Sequence, residues 1–257
     1  VTDHISIKDR SMVRGVVFDL DGTLVDSAGA ITIAVNAIIS GRKVPLYNVS
    51  DVAAFIGDGP DWVLRRALNG RGLHVTQEDT LKFARLYEDC SVAESALFPG
   101  IESVLEELLL LGNRLAVCTN KPAAATRRLL HRLNIDRMFS AVCCGDECNH
   151  RKPHPTHLQE TLRRIDPLPA TAVMIGDHRN DMLAANDCGL PGIFAEWGAR
   201  LSDKDSNLNG CVVAGRARHP QDIPAILNCI SESEAASSPD LTTRLTSSTD
   251  CPIRQCL

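Results

Sequence analysis

The chain has 257 residues, 44% hydrophobic and 23% charged, with 27 basic against 32 acidic side chains. That length passes the usual single domain of about 100–200 residues, and a core of this size needs neither disulfides nor a metal to fold. A net charge of −5 with 4% aromatic residues argues against a nucleic-acid partner, which calls for a basic face. Apolar runs such as Leu108–Leu111 fall far short of the ~18 residues that a membrane span needs. Residues 1–10 carry no apolar stretch of the kind a cleaved secretion signal requires, so a cytoplasmic protein without a membrane partner is expected.

In chain order, the first predicted element is the strand Val16-Val17-Phe18, which stops at Asp19. A helical stretch follows, over 28–40, 50–56, 60–69 and 77–92, with turns at Gly41, Gly57-Asp58-Gly59 and Gly70-Arg71-Gly72. Pro99-Gly100 restarts the pattern, and residues 101–111 repeat apolar positions at helical spacing up to Gly112. Next come the strand 115–118 ending at Thr119, a helix over 123–134, and the strand 141–144 ending at Gly145. Lys152-Pro153 opens the helical region 155–165, and the strand 172–175 ends at Gly176-Asp177. Gly192–Ala195 and Cys211–Ala214 complete the set of short, uniformly apolar runs, which suit strands buried on both faces.

Strands alternating with helices imply an α/β fold with a doubly wound parallel sheet. Roughly a hundred residues separate the first strand from the second, against about 30 for a whole βαβ unit. The excess predicts an all-helical domain inserted after the first strand, above the sheet edge where such folds bind ligands. The expected division is a core over 10–27 and 96–230, a helical insert over 28–95 and a disordered tail over 231–257. The tail holds ten Ser or Thr in 27 residues and little to bury.

The ten cysteines are scattered, and a long chain of this kind is expected to keep them reduced. Cys143, Cys144, Cys148 and His150 cluster in sequence but lack the paired spacing of a zinc site, so thiols are expected there.

Asp19-Leu20-Asp21-Gly22-Thr23 is the sharpest chemical signal. Two carboxylates one residue apart repel, so they bind a cation or one keeps its proton. Their hard oxygens suit Mg²⁺, and Gly22 lets the backbone approach an anion closely. The alternative is a plain Asp-Gly turn. The other strand ends weigh against it: Thr119-Asn120, Lys152 and Asp177 with Asp181 fall at the same sheet edge. A nucleophilic acid, a hydroxyl, an ammonium and a carboxylate pair together suit phosphoryl transfer.

This set of stretches resembles the Mg²⁺-dependent phosphatase branch of the haloacid dehalogenase superfamily, over about residues 13–230. Phe55–Gly59, Thr119-Asn120-Lys121-Pro122, Lys152-Pro153-His154-Pro155 and Gly176–Asp181 make it most similar to the bacterial phosphoglycolate phosphatases. The resemblance implies a Rossmann-like core with a small helical cap. It implies that Asp19 attacks phosphorus to form an aspartyl-phosphate, and that Asp21 acts as general acid and then base. By the same resemblance Asp19, the main-chain carbonyl of Asp21 and Asp177 hold Mg²⁺, Thr119 and Lys152 grip the phosphate, and Asp181 orients Lys152 or a metal-bound water. Because Asp21 is present, a phosphatase is expected rather than a dehalogenase or an ion-pumping ATPase.

The implied substrate is a small phosphorylated metabolite such as 2-phosphoglycolate. An amino-sugar phosphate such as N-acetylmuramic acid 6-phosphate, a phosphomutase reaction, or an inactive phospho-ligand binder are the alternatives. Asn120 and the loop Gly57-Asp58-Gly59 are substrate-binding candidates, the loop being equally readable as a helix–helix turn. Arg65 and Arg66 read as a solvated helix face, with pairing to a substrate carboxylate as the alternative. Trp62 and Trp197 read as packing residues. His178 stands where relatives carry Ser or Thr, and reads as a solvent-facing helix terminus or a neighbour of the metal's water. The hinges of a closing cap are expected near 26–28 and 96–100. The sequence leaves the oligomeric state open.

Overall fold

The computed structural model describes residues 14–165, 168–198 and 208–237. Six parallel strands form the main sheet in the order β5-β4-β1-β6-β7-β8, with β1 Arg14–Phe18, β4 Arg114–Thr119, β5 Ala141–Cys144, β6 Thr171–Gly176, β7 Gly192–Ala195 and β8 Gly215–Ala217. β1 lies between β4 and β6, so the chain leaves its centre and returns on both sides. Ligand sites of open α/β sheets lie at the carboxyl end of such a reversal.

Both faces of the sheet are covered, as the uniformly apolar strands require. Because side chains alternate along a strand, Val16 and Phe18 point one way and Val17 the other. The first two join Leu115, Val117, Val173 and Ile175 beneath α5 (Ile101–Leu110), α6 (Ala123–Arg132) and α9 (Ile223–Ser237). Val17, Ala116 and Met174 pack on the opposite face against α7 (Pro155–Arg163) and α8 (Arg179–Asp187).

Between β1 and β4 lie α1 (Ala28–Ile39), α2 (Val49–Ala53), α3 (Pro60–Asn69) and α4 (Gln77–Glu94). They share their own apolar cluster, which includes Ile31, Val35, Val63, Leu68 and Phe83. Capping boxes start two of these helices: Asn48 with Asp51 on α2, and Thr76 with Asp79 on α4. The two crossings to and from this layer are short strands, β2 (Val25–Asp26) and β3 (Ala96–Leu97), which pair antiparallel with Val25 opposite Leu97.

Three expectations change. The last strand is Gly215–Ala217 rather than 211–214. Val212 is 73% exposed, and its N–H and carbonyl both bond to the side-chain amide of Asn186, which takes the groups a strand would need. Helix α9 runs to Ser237, so it enters the segment expected to be disordered from Ser231, while residues 238–257 lie outside the described residues. Trp62 is 53% exposed, because α3 turns Val63, Leu64, Ala67 and Leu68 inward instead. Among the described residues no helix is long and apolar enough to cross a membrane.

Candidate active site

At the end of β1, Asp19 extends the ladder by donating its N–H to the Ile175 carbonyl at 2.9 Å. The chain then turns at once. The N–H groups of Leu24 and Val25 both reach the Leu20 carbonyl, and Gly22 donates to Val25. Leu20 is fully buried and pins the turn, which leaves Asp19 and Asp21 at the rim. Gly22 has φ +92°, and a Cβ there would collide with the Asp177 carboxylate. Only a glycine lets that carboxylate lie directly on the backbone of the turn.

The other strand ends converge on this point. Lys152 Nζ lies 2.7 Å from Asp19 Oδ1 and 2.7 Å from Asp181 Oδ1, and also donates to the Cys118 carbonyl. Thr23 donates its hydroxyl to Asp177 Oδ1 at 3.1 Å. Asp181 Oδ2 accepts from the His178 N–H at 3.0 Å, so both of its oxygens are engaged. Asp19, Asp177 and Asp181 each bring a carboxylate oxygen within 4.8 Å of the other two. Thr119, 1% exposed, lines the same cleft as Asp19 and Asp21.

The electrostatics of this rim are those of a cation site. Four buried carboxylates, of Asp19, Asp21, Asp177 and Asp181, face two buried ammonium groups, of Lys121 and Lys152. Burial pushes Asp19 up to about 6 in spite of the attraction of Lys152, with Asp181 and Asp21 adding to the rise. Burial alone would lower Lys152, yet Asp181 and Asp19 outweigh it and hold the group as an ammonium. A hard divalent cation would offset the excess negative charge, and the all-oxygen donor set suits Mg²⁺. The donors therefore fit the expected ion.

Sequence reasoning assigned no role to Lys121. Its Nζ lies 3.0 and 3.1 Å from the two oxygens of Asp21, 3.2 Å from the Tyr87 hydroxyl and 3.2 Å from the Ser91 hydroxyl. It also sits 4.5 Å above the centre of the Tyr87 ring. Tyr87 and Ser91 belong to α4, so the helical layer closes on Asp21 through this lysine. The one sequence-level signal was a lysine two residues beyond Thr119.

Asn120 is engaged by protein rather than left open to a ligand. Its Nδ2 donates to Gly57 O and Lys152 O, both at 2.9 Å, and its Oδ1 accepts from Lys152 N at 3.0 Å. Asp58 likewise accepts from Asn180 Nδ2 at 2.8 Å and from Arg66 at 3.1 Å. The loop Gly57-Asp58-Gly59 is thus fastened to the sheet side, although it also lines the cleft. Arg66 is used on Asp58, and Arg65 is exposed. His178 is the N-cap of α8, its Nδ1 accepting from Asn180 N at 3.2 Å, and its ring packs where a Cβ on Gly57 would be. A cavity of about 180 Å³ opens beside it, lined in part by Asp21, Ser27, Asp177 and Trp197. Trp197 donates its indole N–H to the Thr23 carbonyl at 2.9 Å.

Of the cysteine cluster, Cys143 and Cys148 meet at 3.0 Å between sulfurs and are joined by His157, whereas His150 stacks on His154. Both His157 nitrogens are taken, by the Lys152 N–H and the Cys143 carbonyl, so this group is no ready metal site. The described cysteines are free thiols.

The chain belongs to the haloacid dehalogenase-like hydrolase family, whose model matches residues 16–195. It is an enzyme, a phosphatase of that family. It is 35% identical to a phosphoglycolate phosphatase of Photorhabdus laumondii over 190 residues, which span 72% of this chain and 81% of the relative. The likeness to the phosphoglycolate phosphatase of Escherichia coli K12 is 33% over 207 residues, 72% of this chain and 82% of the relative. A crystal structure of a predicted phosphoglycolate phosphatase from Haemophilus somnus superposes with a TM-score of 0.72 at 25% identity, covering 86% of this chain and all of that one.

Proposed function

We propose that this protein is a Mg²⁺-dependent phosphomonoesterase that splits 2-phosphoglycolate into glycolate and phosphate through an aspartyl-phosphate. The observation that carries the reading is Lys152, locked at 2.7 Å to both Asp19 and Asp181 beside the Asp177 carboxylate. The phosphoglycolate phosphatases among its relatives support the substrate.

Asp19 attacks phosphorus along the line of the leaving oxygen, and Lys152 and Thr119 hold the non-bridging oxygens as charge builds on them. Asp21 gives its proton to the departing alkoxide of glycolate. It then takes a proton from the water that attacks the acyl phosphate, which releases phosphate and restores the Asp19 carboxylate. Asp19, Asp177 and the Asp21 carbonyl would hold Mg²⁺, which supplies positive charge for the transferring phosphoryl group. Asp181, with both oxygens engaged, orients Lys152. Residues 28–95 form the cap over this site, with a core of 10–27 and 96–230, and the paired crossings β2 and β3 are its hinge.

Phosphate release from the full chain, with and without Mg²⁺, tests the reading. 2-Phosphoglycolate should exceed sugar phosphates at least about tenfold in kcat/KM, and Asp19→Asn should lose on the order of 10³ or more in kcat. A smaller preference would favour an amino-sugar phosphate, and no Mg²⁺-dependent release from any phosphomonoester would end the proposal.

A further inference from the structure

We infer that Lys121 is the subsite for a second anionic group on the substrate, a carboxylate placed two bonds from the ester oxygen. The inference rests on the phosphomonoesterase reading above and assigns a recognition role to a residue outside the phosphate-holding set.

Lys121 is 2% exposed, and an ammonium that far from water is costly unless anions and acceptors surround it. Its one anionic partner among the hydrogen bonds described is Asp21; Tyr87 and Ser91 bring only neutral hydroxyls. Asp21, however, has a second demand on it, since its side chain must reach the leaving oxygen of the ester. When Asp21 turns to that oxygen, Lys121 is left among neutral groups. A substrate that carries its own carboxylate next to the leaving oxygen refills the vacated place, and a neutral alcohol does not.

Position agrees with this role. The Lys121 N–H donates to Thr119 Oγ1 at 3.2 Å, so its side chain springs from the strand end that also serves the phosphate. Lys121, Asp19, Asp21 and Thr119 line one small cleft beneath the helical layer. Lys152 stands on the Asp19 side of that cleft and Lys121 on the Asp21 side, which are the phosphate side and the leaving-group side of the reaction. Two buried lysines thereby read the two anionic groups of a two-carbon substrate, one at each end. A charge-assisted contact of this kind favours the ligand that completes it by about tenfold or more.

The test compares 2-phosphoglycolate with ethyl phosphate, which has a methyl group in place of the carboxylate, in the Mg²⁺-loaded full chain. The wild type should prefer 2-phosphoglycolate at least about tenfold in kcat/KM, and Lys121→Met and Lys121→Gln should each cut that ratio at least about tenfold. Equal losses on both esters, with the ratio kept within twofold, would overturn the subsite while leaving the phosphoglycolate reading intact. A wild type that favours neutral sugar phosphates would overturn that reading, and the subsite with it. An arm that needs no variant to fold uses 3-phosphonopropionate and propylphosphonate as inhibitors of the wild type. The first should bind at least about tenfold more tightly, and equal inhibition would also overturn the subsite.

Discussion

The side-chain amide of Asn120 brackets the backbone of Lys152, accepting its N–H at 3.0 Å and donating to its carbonyl at 2.9 Å. An amide that reads both groups of one residue fixes where that residue's side chain starts. Asn120→Ala removes both bonds, together with the one to Gly57, and leaves buried backbone groups short of partners. A stability loss of about 2–3 kcal/mol in urea unfolding is expected. A fall in kcat exceeding the change in KM is also expected, because Lys152 loses its anchor. A variant with unchanged kcat would show that the loop holds Lys152 without Asn120.

The excess of carboxylate charge at the rim makes cation binding measurable without turnover. Mg²⁺ should raise the midpoint of thermal unfolding of the wild type, since a ligand bound only by the folded state stabilises it. Asp177→Asn should weaken that response at least about tenfold in the Mg²⁺ concentration required. An identical Mg²⁺ titration in the variant would remove Asp177 from the set of metal holders.

Gly22 offers a sharper test of geometry. Its φ of +92° and its contact with the Asp177 carboxylate leave no room for a side chain. Gly22→Ala should destabilise the fold by about 1–3 kcal/mol and lower kcat far more than the loss of folded protein explains. Activity at the wild-type level would show that the turn can shift without disturbing Asp177.

His157 predicts a pH dependence of stability that is separate from catalysis. Burial, and then the nearby Lys152 ammonium, lower it from 6.5 to about 3. The unfolded chain therefore binds a proton between those values that the folded chain does not. Stability rises with pH through this window, is fully present above about 6.5, and is lost as pH falls toward 3. His157→Gln does not titrate, so its unfolding free energy should vary less steeply between pH 4 and 7 by up to one proton. Equal slopes in the two proteins would mean that His157 is protonated in the folded state.

The sheet and the rim acids were legible because each lies in a short contiguous stretch. A buried strand followed by Asp19-Leu20-Asp21-Gly22-Thr23, or by Gly176-Asp177, shows within ten residues both the strand and the carboxylates at its end. Lys121 was not legible in that way, because its partners Asp21, Tyr87 and Ser91 are 100, 34 and 30 residues away and meet it only once α4 docks. The protein partners of Asn120 and Asp58 were hidden for a related reason: Gly57, Lys152 and Asn180 lie on other segments and meet them only in the fold. The apolar run 211–214 resembled a strand, but the Asn186 amide captures Val212 and shifts the sheet pairing to 215–217. Helix α9 carries Ile223, Leu227 and Ile230 at helical spacing, and the polar composition after Ser231 concealed how far it continues.

The pairing of Val25 with Leu97 has one further consequence. The polypeptide departs for its helical excursion and comes back at adjacent points, so the excursion is joined through the chain at one place, while Lys121, Asn120 and Asn180 tie it down by hydrogen bonds. A change of length within the excursion therefore leaves its two ends side by side. The rim acids lie outside the excursion and Tyr87 and Ser91 within it, so exchanging the excursion also exchanges the hydroxyls that Lys121 meets beside Asp21.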